Sequence, residues 1–169
     1  MSRSGYSYDI EDNWSLIKCR GAVASAIRGK RGQALLRAML VALDELPEKR
    51  LIAGELIFQG EPEFPRPNPE EDIIVGGDRL VDGRGNVVNI GDCCALGALA
   101  RHRHMDVSNF DPHDPEYVAD AFGVNDKLIR EITWANDEDG PYCRAETPEE
   151  RFIRVREWVA AQIRDDKPA

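Results

Sequence analysis

Apolar residues recur every three or four positions through most of this chain, the spacing of helices that bury one face. Trp14, Ile17, Ala24 and Ile27 follow that period, and Gly29 ends the run. Asp12 or Asn13 can cap such a helix, because a short polar side chain accepts hydrogen bonds from the free N–H groups of the first turn. A wider apolar stripe follows in Leu35, Leu36, Met39, Leu40 and Leu43, starting near Gly32 and stopped by Pro47. Two helices joined through Gly29-Lys30-Arg31-Gly32 predict an antiparallel helical hairpin over residues 13–46.

The pattern then changes. Residues 51–58 read as a short strand or a helical turn. Residues 60–76 read as a proline-rich surface loop, since Pro62, Pro65, Pro67 and Pro69 forbid regular structure. Residues 79–90 read as a β-hairpin, with strands 79–82 and 86–90 joined through Gly83-Arg84-Gly85. Helical periodicity returns over 92–164. Gly91-Asp92 is positioned to cap a helix running from Cys93 to about Arg103. Asp114-Pro115 starts another, which Gly123 ends, because Pro lacks only an N–H that the first turn leaves unpaired. A further helix runs from about Asn125 to Ala135. Thr147-Pro148-Glu149-Glu150 is a capping box opening a last helix that buries Phe152, Val155, Trp158, Val159 and Ile163. These elements predict a mainly α (α+β) fold: a compact helical domain with an N-terminal helical hairpin and one small β-hairpin. Residues 1–169 form a single domain in this reading, with 1–12 as an N-terminal arm.

Composition narrows the class. Of 169 residues, 42% are hydrophobic and 31% charged, which excludes a wholly disordered chain. No apolar run approaches the roughly 18–20 residues of a membrane-spanning helix. The first residues carry no apolar signal stretch, so a cytoplasmic location with reduced thiols is expected. The net charge of −9 is uneven. Residues 1–50 hold nine Lys/Arg against six Asp/Glu, and residues 51–169 hold thirteen against twenty-five. The acidic part repels nucleic-acid phosphates, so weak or no direct DNA binding is expected.

Only a few positions are candidates for chemistry. Cys19, Cys93, Cys94 and Cys143 have no C-x-x-C spacing, and the looser set of Cys93, Cys94, His102, His104 and Cys143 matches no metal-site pattern. No metal or cofactor is expected, and no catalytic residue is assigned. A cysteine enzyme centred on Cys93 or Cys94 is an alternative, because a helix N-terminus favours thiolate. Its difficulty is that His102 lies eight residues from Cys94 on the same helix, about 12 Å along the axis at 1.5 Å per residue. The segment 117–132 resembles a helix-turn-helix, with Ala119 allowing close approach and Gly123 turning the chain. A nucleic-acid-binding module using it together with the basic turn 28–33 is the other alternative. The second helix of that pair carries Asn125, Asp126, Lys127, Arg130 and Glu131, which sum to no net charge. The acidic run Trp134–Gly140 reads as a helix C-terminus capped by Asn136 and followed by a loop. Arg28, Lys30 and Arg31, with Gln33 and Arg37 just beyond, are the expected partner-binding residues.

Cys94-Ala-Leu-Gly-Ala-Leu99, Ala121-Phe-Gly-Val124, Trp134-Ala-Asn-Asp137 and the terminal Thr147-Pro-Glu-Glu-Arg151 together resemble small uncharacterised phage and prophage-borne bacterial proteins. Asp12-Asn-Trp-Ser-Leu-Ile17 and the run Arg20–Gln33 extend the resemblance over most of residues 12–163. It implies a phage-type accessory protein that acts without catalysis, by binding a host or phage protein. Such a partner would belong to a nucleic-acid-processing complex, and the chain would be a counter-defence (anti-CRISPR-like) inhibitor.

Overall fold

The computed structural model describes residues 3–6, 13–57, 73–76, 79–82, 92–107, 110–140 and 145–164. The chain is mainly helical. Among the described residues six helices carry the fold: α1 (Asn13–Arg28), α2 (Lys30–Glu45), α3 (Ala95–His102), α4 (Pro115–Phe122), α5 (Asp126–Asp137) and α6 (Pro148–Gln162). One antiparallel strand pair, β1 (Ile73–Gly76) with β2 (Arg79–Asp82), matches Ile73 to Asp82 and Gly76 to Arg79. The strand expected at 79–82 is therefore present. Its partner is 73–76, the end of the segment read as a proline-rich loop, and the expected strand 86–90 lies outside the described residues.

The core is one cluster centred on α3, whose residues Ala95 to Ala100 are all buried. Leu35, Leu36, Met39 and Leu43 of α2 pack on one side of it, and Leu128, Ile129 and Ile132 of α5 on another. Val155 and Val159 of α6 close the cluster against α2. Gly97 shows how tightly α3 is seated. A Cβ at that position would come within 1.9 Å of the Leu56 carbonyl oxygen, so no other residue fits. The segment 51–57 is neither a full strand nor a helix. It runs beside the entry to α3 through Ile52 N–H to Cys93 O (3.1 Å), Cys94 N–H to Leu56 O (3.0 Å) and an isolated Ile57–Cys93 bridge.

Local start and stop signals act where the sequence placed them. Asp114 Oδ1 accepts from the N–H groups of Glu116 and Tyr117, and Gly123 closes α4 in the left-handed region at φ 69°. Thr147 and Glu150 form the reciprocal capping box of α6. Phe152, Val155 and Val159 are buried there, with Trp158 and Ile163 half-buried.

Three expectations need correction. First, α1 and α2 are separated by Gly29 alone, so Lys30, Arg31 and Gly32 form the first turn of α2 rather than a linker. Second, α3 begins at Ala95, and Cys93 is extended; Asp92 caps nothing because its carboxylate is held by Arg50, at 2.8 Å from Nε. Third, Ile17 is 58% exposed; α1 rests mainly on α2 and α5, and Val23, 9% exposed, is the one buried apolar residue among its described side chains.

Candidate functional site

The elbow between α1 and α2 gathers the expected cations. Arg28 ends α1, while Lys30 and Arg31 open α2, and all three side chains are exposed. Among the described residues none of the three makes a side-chain hydrogen bond or ion pair. Arg28 sits well, since a helix C-terminus attracts positive charge. Lys30 and Arg31 do not. They occupy the first turn of α2, where the helix dipole disfavours cations, and no acidic residue shares that turn. Neither cation is placed for the benefit of the fold. The elbow also borders an open cleft of about 380 Å³, lined by Ser25, Ala26, Gly29 to Gly32 and, from the α4–α5 turn, Val124 and Asn125.

Gln33 and Arg37 separate from this patch. Gln33 is 7% exposed. Its amide donates to Ile27 O (2.9 Å) and Gln162 O (3.0 Å), and its Oε1 accepts from Arg164 N–H at 2.8 Å. Arg37 Nη2 donates to Arg164 O at 2.6 Å. Both residues fasten the end of α6 to α2, Gln33 from a buried position and Arg37 through the Arg164 carbonyl just past the helix.

The α4–α5 pair has helix-turn-helix connectivity, with Val118 and Ala119 buried at the contact. The face of α5 that would have to meet bases is already used. Asp126 is bonded to Lys127 (2.8 Å) and to Arg130 (3.1 Å). Arg130 Nη1 also reaches Ser4 O, and Glu131 accepts from the Tyr6 hydroxyl at 2.9 Å. Residues 3–6 of the N-terminal arm thus lie along α5. The acidic run that read as a loop is their anchorage: Asp137 pairs with Arg3 at 2.7 Å, and Glu138 accepts from Ser4 N–H at 3.1 Å. Asn136 does not cap its own helix. It is 1% exposed, accepts from the Ala95 N–H at 3.1 Å, and donates to Ile52 O at 2.8 Å. It therefore caps α3 from across the core.

Neither adjacent thiol is set up as a nucleophile. Cys93 and Cys94 are 2% and 1% exposed. Burial pushes the Cys93 thiol up to about 12, and the nearby Arg101 guanidinium offsets only part of that. Arg101 Nη1 is 3.9 Å from Cys93 Sγ, and Arg3 Nη2 is 3.6 Å from Cys94 Sγ. His102 faces away, bonded to Glu45 at 2.7 Å on the surface, and His104 and His113 are exposed. Among the described residues no three His, Cys, Asp or Glu side chains converge to hold a metal ion, and Cys143 lies outside them. Nor is any described helix long and apolar enough to cross a membrane. No family model, curated protein or solved structure matches this chain.

Proposed function

We propose that the chain acts by binding a macromolecule without catalysing a reaction on it, and that Arg28, Lys30 and Arg31 at the α1–α2 elbow make the contact. The observation that carries this reading is the placement of Lys30 and Arg31: exposed, without a described partner, at a helix end that disfavours them, beside an open cleft. The partner that fits is a protein with an acidic surface, because exposed cations raise encounter rates with such a surface. The resemblance to phage and prophage proteins supports an accessory role inside a host cell, with a host protein as the target and counter-defence as the purpose. Duplex DNA is the weaker partner. The chain carries −9 overall, and the α5 face is taken up by residues 3–6.

The test is the double substitution Lys30→Ala/Arg31→Ala. Exposed charges contribute only ~0–1 kcal/mol to stability, so the melting temperature stays nearly unchanged. Capture from bacterial lysate with mass spectrometry should identify a protein held by the wild type and lost from the double variant, and purified partner should associate more slowly with the variant and with less salt dependence. A partner held equally by both chains removes the elbow from the reading. Nanomolar retention of duplex DNA at about 150 mM salt would favour the nucleic-acid module instead, since non-specific binding there is ~10⁻⁴–10⁻⁶ M.

A further inference from the structure

Residues Arg3–Tyr6 belong to no helix or strand, yet each is held by a different chemistry. The Arg3 side chain is 6% exposed, with Nη1 on Asp137 Oδ2 at 2.7 Å and Nη2 on Cys94 Sγ at 3.6 Å. Ser4 is fully buried, donating its N–H to Glu138 Oε1 and offering its carbonyl to Arg130 Nη1. Gly5 has φ +70°, and a Cβ there would come within 2.1 Å of Arg130 Nη1, so the Arg130 side chain lies directly across the backbone. Tyr6 closes the set with its hydroxyl on Glu131 Oε2 at 2.9 Å. The receiving groups are Arg130, Glu131 and Asp137 of α5 and Glu138 at its C-terminal cap, so the arm lies along one side of the helix and over its end. This is how a groove holds a short turn of peptide: one buried side-chain anchor, backbone hydrogen bonds, and a left-handed residue that favours glycine.

The occupant does not exhaust its seat. Arg3 Nε and Glu138 Oε2 are both buried and have no hydrogen-bond partner among the described residues. A guanidinium entering at a slightly different angle could use the Glu138 oxygen that Arg3 leaves idle.

We propose that this face of α5 is a binding site for a turn-forming, arginine-bearing segment of another protein, of the form Arg-small-Gly-aromatic, and that residues 3–6 occupy it in cis as a displaceable strap. The proposal does not rest on the elbow reading, which concerns the opposite charge and different residues. A strap joined to its own domain acts at an effective concentration in the millimolar range, so a free peptide competes poorly with it. The site opens when the strap is disabled.

The experiment uses acetyl-Arg-Ser-Gly-Tyr-amide and the full-length chain, with affinity read by isothermal titration calorimetry and folding by circular dichroism. Gly5→Ala unseats the strap by straining its left-handed backbone at φ +70° and by crowding the end of the Arg130 side chain. Arg3→Ala empties the guanidinium position. Both variants should bind the peptide at least tenfold more tightly than the wild type. Adding Asp137→Asn to either should cancel the gain, and replacing the peptide's arginine with lysine should weaken binding, because a single ammonium cannot reach both Asp137 and Cys94. Folded variants that bind no better than the wild type overturn the proposal. So does a variant that unfolds, which would make the strap part of the core. A wild-type chain that sediments as a dimer at micromolar concentration would assign the seat to a second copy's arm and overturn it as well.

Discussion

Asn136→Ala should be among the most damaging single polar substitutions in this chain, although it removes no apolar packing. The side chain joins three segments: Ala95 at the start of α3, Ile52 in the irregular run before it, and Asp137 beside it on α5, whose Oδ1 accepts at 2.6 Å. Alanine leaves the buried Ala95 N–H and the Ile52 carbonyl without partners. Each orphaned group costs about 1–3 kcal/mol, and the lost α3 cap is part of the first of these rather than an addition. The total is about 2–6 kcal/mol, a large share of the ~5–15 kcal/mol that holds a typical domain together. At roughly 2–4 °C per kcal/mol for a chain of this size, the melting temperature should fall by about 4–24 °C. Urea denaturation followed by circular dichroism should show the midpoint falling with the slope unchanged. Asn136→Asp sharpens the test. A carboxylate still accepts from Ala95 N–H, but it cannot donate to Ile52 O and sets a second negative charge beside Asp137. Folding then raises the pKa of the introduced carboxyl, so this variant should regain stability as the pH falls and the group protonates to become a donor. A loss under about 1 kcal/mol in Asn136→Ala would refute the idea that the two bonds are made in the buried state.

Two further expectations follow from buried and paired groups. Iodoacetamide at pH 7 should leave Cys93 and Cys94 unmodified in the native chain and label them in urea, as mass spectrometry of the digested protein would show; native labelling of either faster than free cysteine would restore the cysteine-enzyme alternative. The hydrogen bond from Arg154 holds the Glu146 carboxyl below the ordinary glutamate range despite some burial, so its stabilisation is present above that range and is lost as the pH falls through the depressed value. Glu146→Gln should therefore lower the melting temperature at pH 7 and shrink the gap to the wild type towards pH 3; a constant gap across that range would show that the pair contributes no pH dependence.

The fold was legible wherever its determinants lie within four residues of each other. Asp114 with Pro115, Thr147 with Glu150 and the break at Gly123 are local devices, and the apolar stripes of α2 and α6 repeat because helix geometry repeats. The strand partner of Arg79–Asp82 was missed because glycines lie on both sides of that segment, and either side could supply a turn. Gln33 was read as part of a polar turn, but a signal against that was available. It lies three residues before Leu36 and ten before Leu43, on the buried stripe of α2, where a polar residue must find partners inside.

Asp92, Asn136 and Arg3 carried no comparable signal. Their partners, Arg50, Ala95 and Asp137, stand 42, 41 and 134 residues away. A buried apolar side chain is satisfied by any neighbour of suitable shape, so its position can be read from periodicity alone. A buried hydrogen-bonding group is satisfied by one atom at one distance, and that atom is placed only when the helices have packed. Locally, Asn136-Asp137-Glu138 is an acidic helix end and Arg3 a charge near the start of the chain. Their meeting makes one the seat and the other its occupant. The elbow could be found from sequence because its cations need no partner within the fold. The α5 seat could not, because its contacts are defined by a segment more than a hundred residues earlier.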